Sequence, residues 1–177
     1  MTGTATSRVG LLITGIPGAG KSTLLDHLES TGWRVMRGDK AHSWLPGYHE
    51  AWNAALAGSP GTLVSLARQE PVGLAIEWGF KAAHLAYVRP LHEAGFEAWF
   101  LDGDDEMAYE RWRQVHPRSP RSVFDDQITG LRDVTDKITA AFGRRRIVTI
   151  PADRPGLTVG EIGVEVVGES GETSTMS

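Results

Sequence analysis

Short apolar runs alternate along the chain with stretches in which apolar residues recur every three or four positions. Most of the apolar runs have strand length and few polar residues, which is typical of strands buried on both faces of a parallel sheet. Because helical patterns separate these runs, we expect an α/β fold with helices on both faces of the sheet. The five predicted strands are Val9–Thr14, Trp33–Arg37, Val72–Ile76, Phe96–Leu101 and Ile147–Ile150.

The helical patterns are clearest near the C-terminal end, where apolar residues from Phe124 to Phe142 form one continuous stripe. Pro90 is expected to break or kink the helix that contains it. The stretch His42–Trp52 has no regular period, which predicts a loop with a short helix. The predicted helices are Lys21–Ser30, Thr62–Arg68, Phe80–Glu93, Asp104–Val115, Val123–Phe142 and Thr158–Val167.

Size and composition narrow the class of protein. The chain has 177 residues, a formal charge of −4 and no cysteine. This length predicts one domain over residues 1–167, with its core at 8–167, and the small polar residues of 168–177 predict a disordered tail. The lack of cysteine excludes a disulfide framework, a cysteine-ligated metal and thiol catalysis. No signal-peptide pattern and no apolar run of about 18 residues is found, so a cytoplasmic protein without a membrane segment is expected.

One motif carries specific chemistry. The stretch GIPGAGKS, residues 15–22, fits the pattern G-x-x-x-x-G-K-[ST] between a predicted strand and a predicted helix. Glycines allow successive N–H groups to turn around a phosphate, and the helix start adds a positive dipole end. Lys21 would reach the β- and γ-phosphates, and Ser22 would bind Mg²⁺. The predicted phosphate-binding residues are Gly15, Pro17, Gly18, Ala19, Gly20, Lys21, Ser22 and Thr23.

The motif alone does not choose among nucleotide-dependent enzymes, but the rest of the chain does. It lacks the N-K-x-D guanine motif, a D-x-x-G after the third strand and a transporter-ATPase signature. The pattern that remains is that of a small-molecule kinase. Such an enzyme needs an acceptor pocket, an acid near the acceptor hydroxyl and a basic lid.

Two acids fall at predicted strand ends. Asp39 follows the second strand and would orient or deprotonate the acceptor hydroxyl. Glu77 ends the third strand, where an acid holds Mg²⁺ or its water. The sequence leaves open which of the two is the base. The acids of Asp102–Glu106 are interpreted instead as caps at a helix start.

Four arginines surround the turn-rich loop HPRSPR, residues 116–121, which predicts a phosphate-clamping lid. These are Arg111, Arg113, Arg118 and Arg121, with Arg118 as the candidate catalytic arginine. Arg111 and Arg113 lie two apart on a helix, so at most one of them is expected to reach the phosphates.

Aromatic residues follow Asp39 closely and suggest one wall of the acceptor pocket, although core packing accounts for any single ring equally well. The histidines show no zinc-binding spacing. The candidate substrate residues are His42, Trp44, Tyr48, Trp52 and Trp78.

These residues together resemble small P-loop kinases of the shikimate, gluconate and adenylate kinase type, nearest in layout to chloramphenicol phosphotransferase-like enzymes. The resemblance covers about Val9–Val167 and rests on the phosphate loop, Asp39 in MRGDK, Glu77 in AIEWGF and the arginine-rich stretch after residue 109. It implies a P-loop NTPase three-layer sandwich with strand order 2-3-1-4-5 and a short lid. It also implies ATP or GTP with Mg²⁺ as cofactors, and adenine contact by the turn at Pro151.

The chain departs from several members of that group. It lacks a G-G-G after the third strand, a D-x-D after the second and a D-G-x-P-R stretch. We therefore expect an O-phosphotransferase for another small molecule. Because the high content of Gly, Ala and Arg with little Lys is typical of a GC-rich coding source, and such genomes often carry antibiotic-modifying kinases, an antibiotic, including the capuramycin type, is one candidate acceptor. The alternatives are a polynucleotide 5′-hydroxyl kinase, which the charge of −4 disfavours, and a nucleotide-binding switch. A monomer or a homodimer is expected.

Overall fold

A five-stranded parallel sheet forms the middle layer of the protein, in the order β2-β3-β1-β4-β5. The computed structural model describes residues 8–38, 44–153 and 155–168. The strands are β1 Gly10–Gly15, β2 Arg34–Met36, β3 Leu74–Glu77, β4 Phe96–Gly103 and β5 Arg146–Ile150. The predicted α/β class and strand order are confirmed.

Helices cover both faces of the sheet. They are α1 Lys21–Ser30, α2 Tyr48–Leu56, α3 Gly61–Ala67, α4 Leu85–Glu93, α5 Asp105–Val115, α6 Arg121–Arg132, α7 Thr135–Phe142 and α8 Val159–Gly168, with single 3₁₀ turns at Ala82–His84 and Gly143–Arg145. Among the described residues, no helix is both long and apolar enough to cross a lipid bilayer.

The central strand β1 fixes the position of the candidate site. Leu12 lies between Ile76 of β3 and Ala98 of β4, and all six residues of β1 are buried. Burial on both faces explains why this strand is almost wholly apolar. Because β1 and β3 are parallel, the loop after Gly15 and the segment after Glu77 leave the same edge of the sheet.

The predicted helix over 123–142 is wrong as a single element. The chain forms α6 and α7 instead, with Val134 outside the helical region at φ −119° and ψ 20°. The apolar stripe continues across this break because Leu131 and Ile138 are both buried. Periodicity reports the buried face of a helix but not an interruption that leaves that face intact.

Two further helix predictions need correction. The helix expected from Phe80 begins with the 3₁₀ turn and becomes α4 at Leu85. Pro90 does not break it, since α4 continues to Glu93 and the N–H of Ala94 donates to the Pro90 carbonyl at 3.0 Å. Proline removes only one donor, and the following residues continue the ladder. The predictions for Asp39, His42 and the tail beyond Gly168 lie outside the described residues.

Candidate functional site

The loop between β1 and α1 turns tightly against a neighbouring helix. Gly18 has φ +77°, and a Cβ at this position would lie 2.1 Å from the carbonyl oxygen of Ala108 in α5. Gly20 caps α1 at φ +91°, and among the described residues no side chain caps that helix start. The first N–H groups of α1 therefore remain for an anion, and glycine is required where the loop meets α5.

Lys21 lies against the inner side of this loop. Its Nζ donates to the carbonyls of Ile16 at 2.8 Å and Gly15 at 3.1 Å. Burial lowers the pKa of the Lys21 ammonium to about 8, and the negative charge of Glu77 opposes that shift. The lysine thus places a cation inside the loop, where a phosphate chain would meet it.

The end of β3 is tied to the end of β1. Glu77 pairs with Ile13 in the strand register, and the N–H of Trp78 donates to the Ile13 carbonyl at 2.9 Å. The hydroxyl of Thr14, which is fully buried, donates to the Trp78 carbonyl at 2.9 Å. These bonds fix the backbone on both sides of Glu77 beside the phosphate-binding loop.

Ser22 and Glu77 line one cavity and present a hydroxyl and a carboxylate oxygen. Mg²⁺ prefers such oxygen donors, and it commonly takes only one or two of them from the protein, with the rest from phosphates and water. Within the described ranges no group of three or more His, Asp or Glu side chains is arranged for a metal ion. The residues present therefore fit Mg²⁺ held largely by a nucleotide, rather than a metal caged by protein alone.

The cavity itself has a volume of about 1030 Å³. Its floor is the phosphate-binding loop, one wall is the segment that follows β3, and the other walls are the end of α5 and the outer face of α6. Ligand sites in proteins commonly reach up to about 1,000 Å³, so this space has the size for a nucleotide and a small second ligand.

The four candidate lid arginines have different surroundings. Arg111 lines the cavity, and a Cβ on Gly156 would lie 3.0 Å from its Nη2, so the guanidinium lies beside the segment after β5. Arg113 is exposed and pairs with Glu110 at 2.7 Å. Arg118 is exposed in the loop before α6. Among the described residues, neither Arg111 nor Arg118 has a carboxylate within ion-pair distance.

Arg121 is engaged away from the cavity. Its Nη1 donates to Glu106 at 2.9 Å, and its guanidinium lies 4.5 Å from the centre of the Tyr109 ring. Of the four arginines, the structure brings Arg111 together with the phosphate-binding loop. Arg113 instead pairs within α5, and Arg121 joins α6 to Glu106 of α5, so the charges of both are already balanced by neighbouring carboxylates.

The candidate substrate aromatics separate into two groups. Trp78 lines the cavity and packs edge-on against Trp52, with ring centres 5.6 Å apart. Trp52 and Tyr48 are buried in the core behind it, and Trp44 donates from Nε1 to the Arg37 carbonyl at 2.8 Å. Trp44, Tyr48 and Trp52 do not line this cavity: Trp52 packs in the core, and Trp44 and Tyr48 line a separate cavity of about 250 Å³ beside β2.

Tyr48 has a polar partner of its own in that core. Its hydroxyl donates to Glu70 at 2.5 Å. Burial, followed by this hydrogen bond and the charge of Glu70, raises the pKa of Tyr48 to about 12. Hydrogen bonding of this kind satisfies a buried phenol and gives it a structural role.

The acids at the end of β4 and the start of α5 behave as helix-start and packing groups. Asp104 caps α5, its Oδ1 accepting from the N–H of Met107 at 3.0 Å. Asp102 is 2% exposed and accepts from Arg132 at 2.8 Å and Arg146 at 2.8 Å. Neither acid lines the cavity. Pro151 is buried directly after β5, outside the cavity lining.

Sequence reasoning missed two parts of the cavity wall. One is Phe80–Ala83, which the position directly after a strand end could have indicated. The other is Asp126 and Gln127 on α6: Asp126 lies opposite the apolar stripe, and Gln127 lies at the border of that stripe. A polar helix face is usually a solvated one, so the pattern alone does not distinguish it from the wall of a cavity.

Known proteins resemble this chain in sequence and in fold. No protein-family model matches the chain. A nucleotide-binding protein from Arthrobacter sp. strain FB24 is 30% identical over 138 residues, which cover 72% of this chain and 41% of that protein. The chain thus spans about two fifths of the length of the curated relative that it matches.

Solved structures with a similar fold include a tunicamycin resistance protein and two kinases of small molecules. The tunicamycin resistance protein from Deinococcus radiodurans has a TM-score of 0.54 and 19% identity, covering 93% of this chain and 96% of that one. Shikimate kinase from Acinetobacter baumannii has a TM-score of 0.53 and 13% identity, covering 93% of each chain. A gluconokinase from Sinorhizobium meliloti 1021 has a TM-score of 0.51 and 20% identity, covering 90% of this chain and 89% of that one. The chain has the P-loop NTPase kinase fold.

Proposed function

We propose that this protein is a nucleoside-triphosphate-dependent O-phosphotransferase that acts on a hydroxyl group of a small molecule. The observation that carries the proposal is one cavity, about 1030 Å³ in volume, that joins the phosphate-binding loop to a second set of walls. A nucleotide switch needs only the loop, whereas a kinase needs adjoining space for an acceptor.

The donor side is assigned to groups already near the loop. Lys21 and the N–H groups at the start of α1 bind the β- and γ-phosphates. Ser22 and Glu77 would hold Mg²⁺, which neutralises developing charge on the phosphates when bound. Arg111 adds a guanidinium to the phosphates from the lid side. When the loop before α6 closes, Arg118 stabilises the same developing charge on the phosphates.

The acceptor side is assigned to the walls made by Trp78–Ala83 and by α6. Asp39 or Glu77 takes the proton of the acceptor hydroxyl, and the oxygen then attacks the γ-phosphorus in line with the leaving nucleoside diphosphate, as the bond from the γ-phosphorus to the β–γ bridging oxygen breaks. Positioning and charge stabilisation supply most of the rate in such reactions. The acceptor class that we propose to test first is hydroxyl-bearing antibiotics, including nucleoside types.

The test is a screen of hydroxyl compounds with Mg²⁺ and either ATP or GTP, read by mass spectrometry as the gain of one phosphoryl group. Lys21→Ala is the control that should abolish the product, and Lys137→Ala, an exposed lysine on α7, should leave it unchanged. Nucleotide hydrolysis with no phosphorylated product would contradict the proposal and favour a switch. A phosphorylated single-stranded oligonucleotide would instead favour the polynucleotide kinase alternative.

A further inference from the structure

The segment that follows β3 forms one wall of the cavity, and one histidine packs against this segment without lining the cavity. His84 ends the 3₁₀ turn before α4, and its ring stacks on Trp78 with centres 5.5 Å apart and planes 17° apart. The same ring meets Phe80 edge-on at 5.9 Å. His84 is not itself among the residues that line the cavity, whereas Trp78, Phe80 and Lys81 are.

The imidazole also holds the backbone of this wall. Its Nδ1 accepts a hydrogen bond from the N–H of Lys81 at 3.1 Å, and the backbone of Gly79 lies near enough to the ring to favour its charged form. Since Nδ1 is an acceptor, we assign the ring proton to Nε2. Residues 78–81 have no regular secondary structure, and the bond to Nδ1 satisfies the N–H of Lys81, which no helix or strand partner satisfies.

We propose that His84 is a positioning residue, whose neutral ring fixes Trp78, Gly79 and Lys81 as the acceptor-side wall of the cavity. The link to an acceptor rests on the proposed function. His84 itself takes part in no chemical step. The histidine acts through the wall, which determines where an acceptor can lie relative to the phosphate-binding loop.

The arrangement makes the wall sensitive to acid. A proton on Nδ1 would face the N–H of Lys81, so the hydrogen bond would be lost and two donors would oppose each other. The other groups around the ring are the Lys81 ammonium and the Tyr87 ring at 6.1 Å, and no carboxylate of the described residues pairs with His84. Burial, and then the charge of Lys81, lower the pKa of His84, while the backbone of Gly79 opposes this. The ring is therefore neutral near pH 7 and becomes charged only as the pH falls.

Amide hydrogen exchange at Lys81, corrected for the intrinsic rate and followed by NMR from pH 4 to pH 8, tests this proposal, and the ring C–H signals of His84 report when the ring gains its proton. We expect protection of about 3- to 10-fold at pH 7.5 in the wild type, lost as the pH falls through the pKa of His84. His84→Asn keeps an acceptor near the Nδ1 position without titrating, so its protection should persist across the range. His84→Phe keeps an aromatic ring but no acceptor, so protection should be absent throughout. His92→Asn, at an exposed histidine of α4, is the matched control.

Undiminished protection of Lys81 in His84→Phe, or protection in the wild type that persists after the His84 ring has gained its proton, would overturn the assignment. If His84→Phe fails to fold, the pH profiles of the wild type and His84→Asn still decide it. For the hydroxyl compound found by the phosphotransfer screen, His84→Phe should raise the acceptor KM about 3- to 10-fold, leave the KM for MgATP within about twofold, and be rescued by His84→Asn.

An equal rise in both KM values would overturn the acceptor-side role. A screen without any product would contradict the proposed function and remove the link to an acceptor. The exchange measurement would still decide whether His84 fixes the wall, so the two failures are distinguishable.

Discussion

Arg132 donates a 2.8 Å hydrogen bond from Nη1 to the buried carboxylate of Asp102. The same guanidinium donates to the Gly103 carbonyl at 2.8 Å and pairs with Asp105. It thereby ties the C-terminal end of α6 to the end of β4. Since α6 supplies one wall of the cavity, this cluster fixes that wall to the sheet.

We expect Arg132→Ala to lower the free energy of unfolding by about 1–3 kcal/mol, because it removes bonds to a buried carboxylate. Asp102 retains Arg146, which keeps the loss below that of a wholly unpaired buried charge. Urea unfolding measures the change. Arg113→Ala, in an exposed pair with Glu110, should stay within about 0.5 kcal/mol. Equal losses in the two variants would contradict a structural role for the Asp102 cluster.

The sequence predicted the class of fold because its strongest signals are local. Five short apolar strands and the loop at residues 15–22 follow from composition and spacing alone, and α1 has the predicted bounds Lys21–Ser30. Strand order came from family resemblance, since local patterns do not state which strands pair. The division between α6 and α7 was missed because Leu131 and Ile138 preserve one buried face across it.

The cavity was less predictable than the fold. Trp44, Tyr48 and Trp52 follow Asp39 in sequence, but α2 turns the rings of Tyr48 and Trp52 into the core. Asp126 and Gln127 become wall residues because α6 and the phosphate-binding loop face the same cavity. Such placement depends on tertiary packing between elements distant in sequence, which the period of a single helix does not encode.

Nucleotide binding should take up a proton above about pH 8. Burial lowers the pKa of Lys21 to about 8 in the free protein, and a neighbouring phosphate would favour the charged ammonium and raise that pKa. Below pH 8 the lysine is already charged, so proton uptake on nucleotide binding should be small. Above pH 8 the affinity for the nucleotide should fall as the pH rises. Calorimetry with MgATP at pH 7 and pH 9, in buffers of different ionisation enthalpy, measures the proton count. Lys137→Met should behave as wild type, and absence of uptake at pH 9 would contradict this role for Lys21.

Arg111 should contribute to catalysis more than its neighbour Arg113. Arg111 lines the cavity, whereas Arg113 is paired with Glu110 on the surface. A charge-assisted hydrogen bond to phosphate contributes about 1.5–3 kcal/mol, so Arg111→Ala should lower kcat/KM for MgATP by about 10- to 100-fold. Arg113→Ala should stay within about twofold. Steady-state kinetics, or nucleotide hydrolysis where no acceptor is supplied, distinguishes the two. Similar losses in both variants would indicate a general effect of charge on the lid.

Asp126 provides the sharpest test of the acceptor wall, because its neighbour Asp125 is a matched control. Asp126 lines the cavity, while Asp125 faces Arg121 at 3.4 Å. If the Asp126 carboxylate accepts a hydrogen bond from the acceptor, Asp126→Asn should lower kcat/KM for the acceptor by about 10- to 100-fold. The KM for MgATP should remain within about twofold, since that carboxylate is assigned no phosphate contact. Asp125→Asn should leave both parameters near wild type. Equal effects of the two substitutions, or an effect of Asp126→Asn on MgATP alone, would place the acceptor against another wall of the cavity.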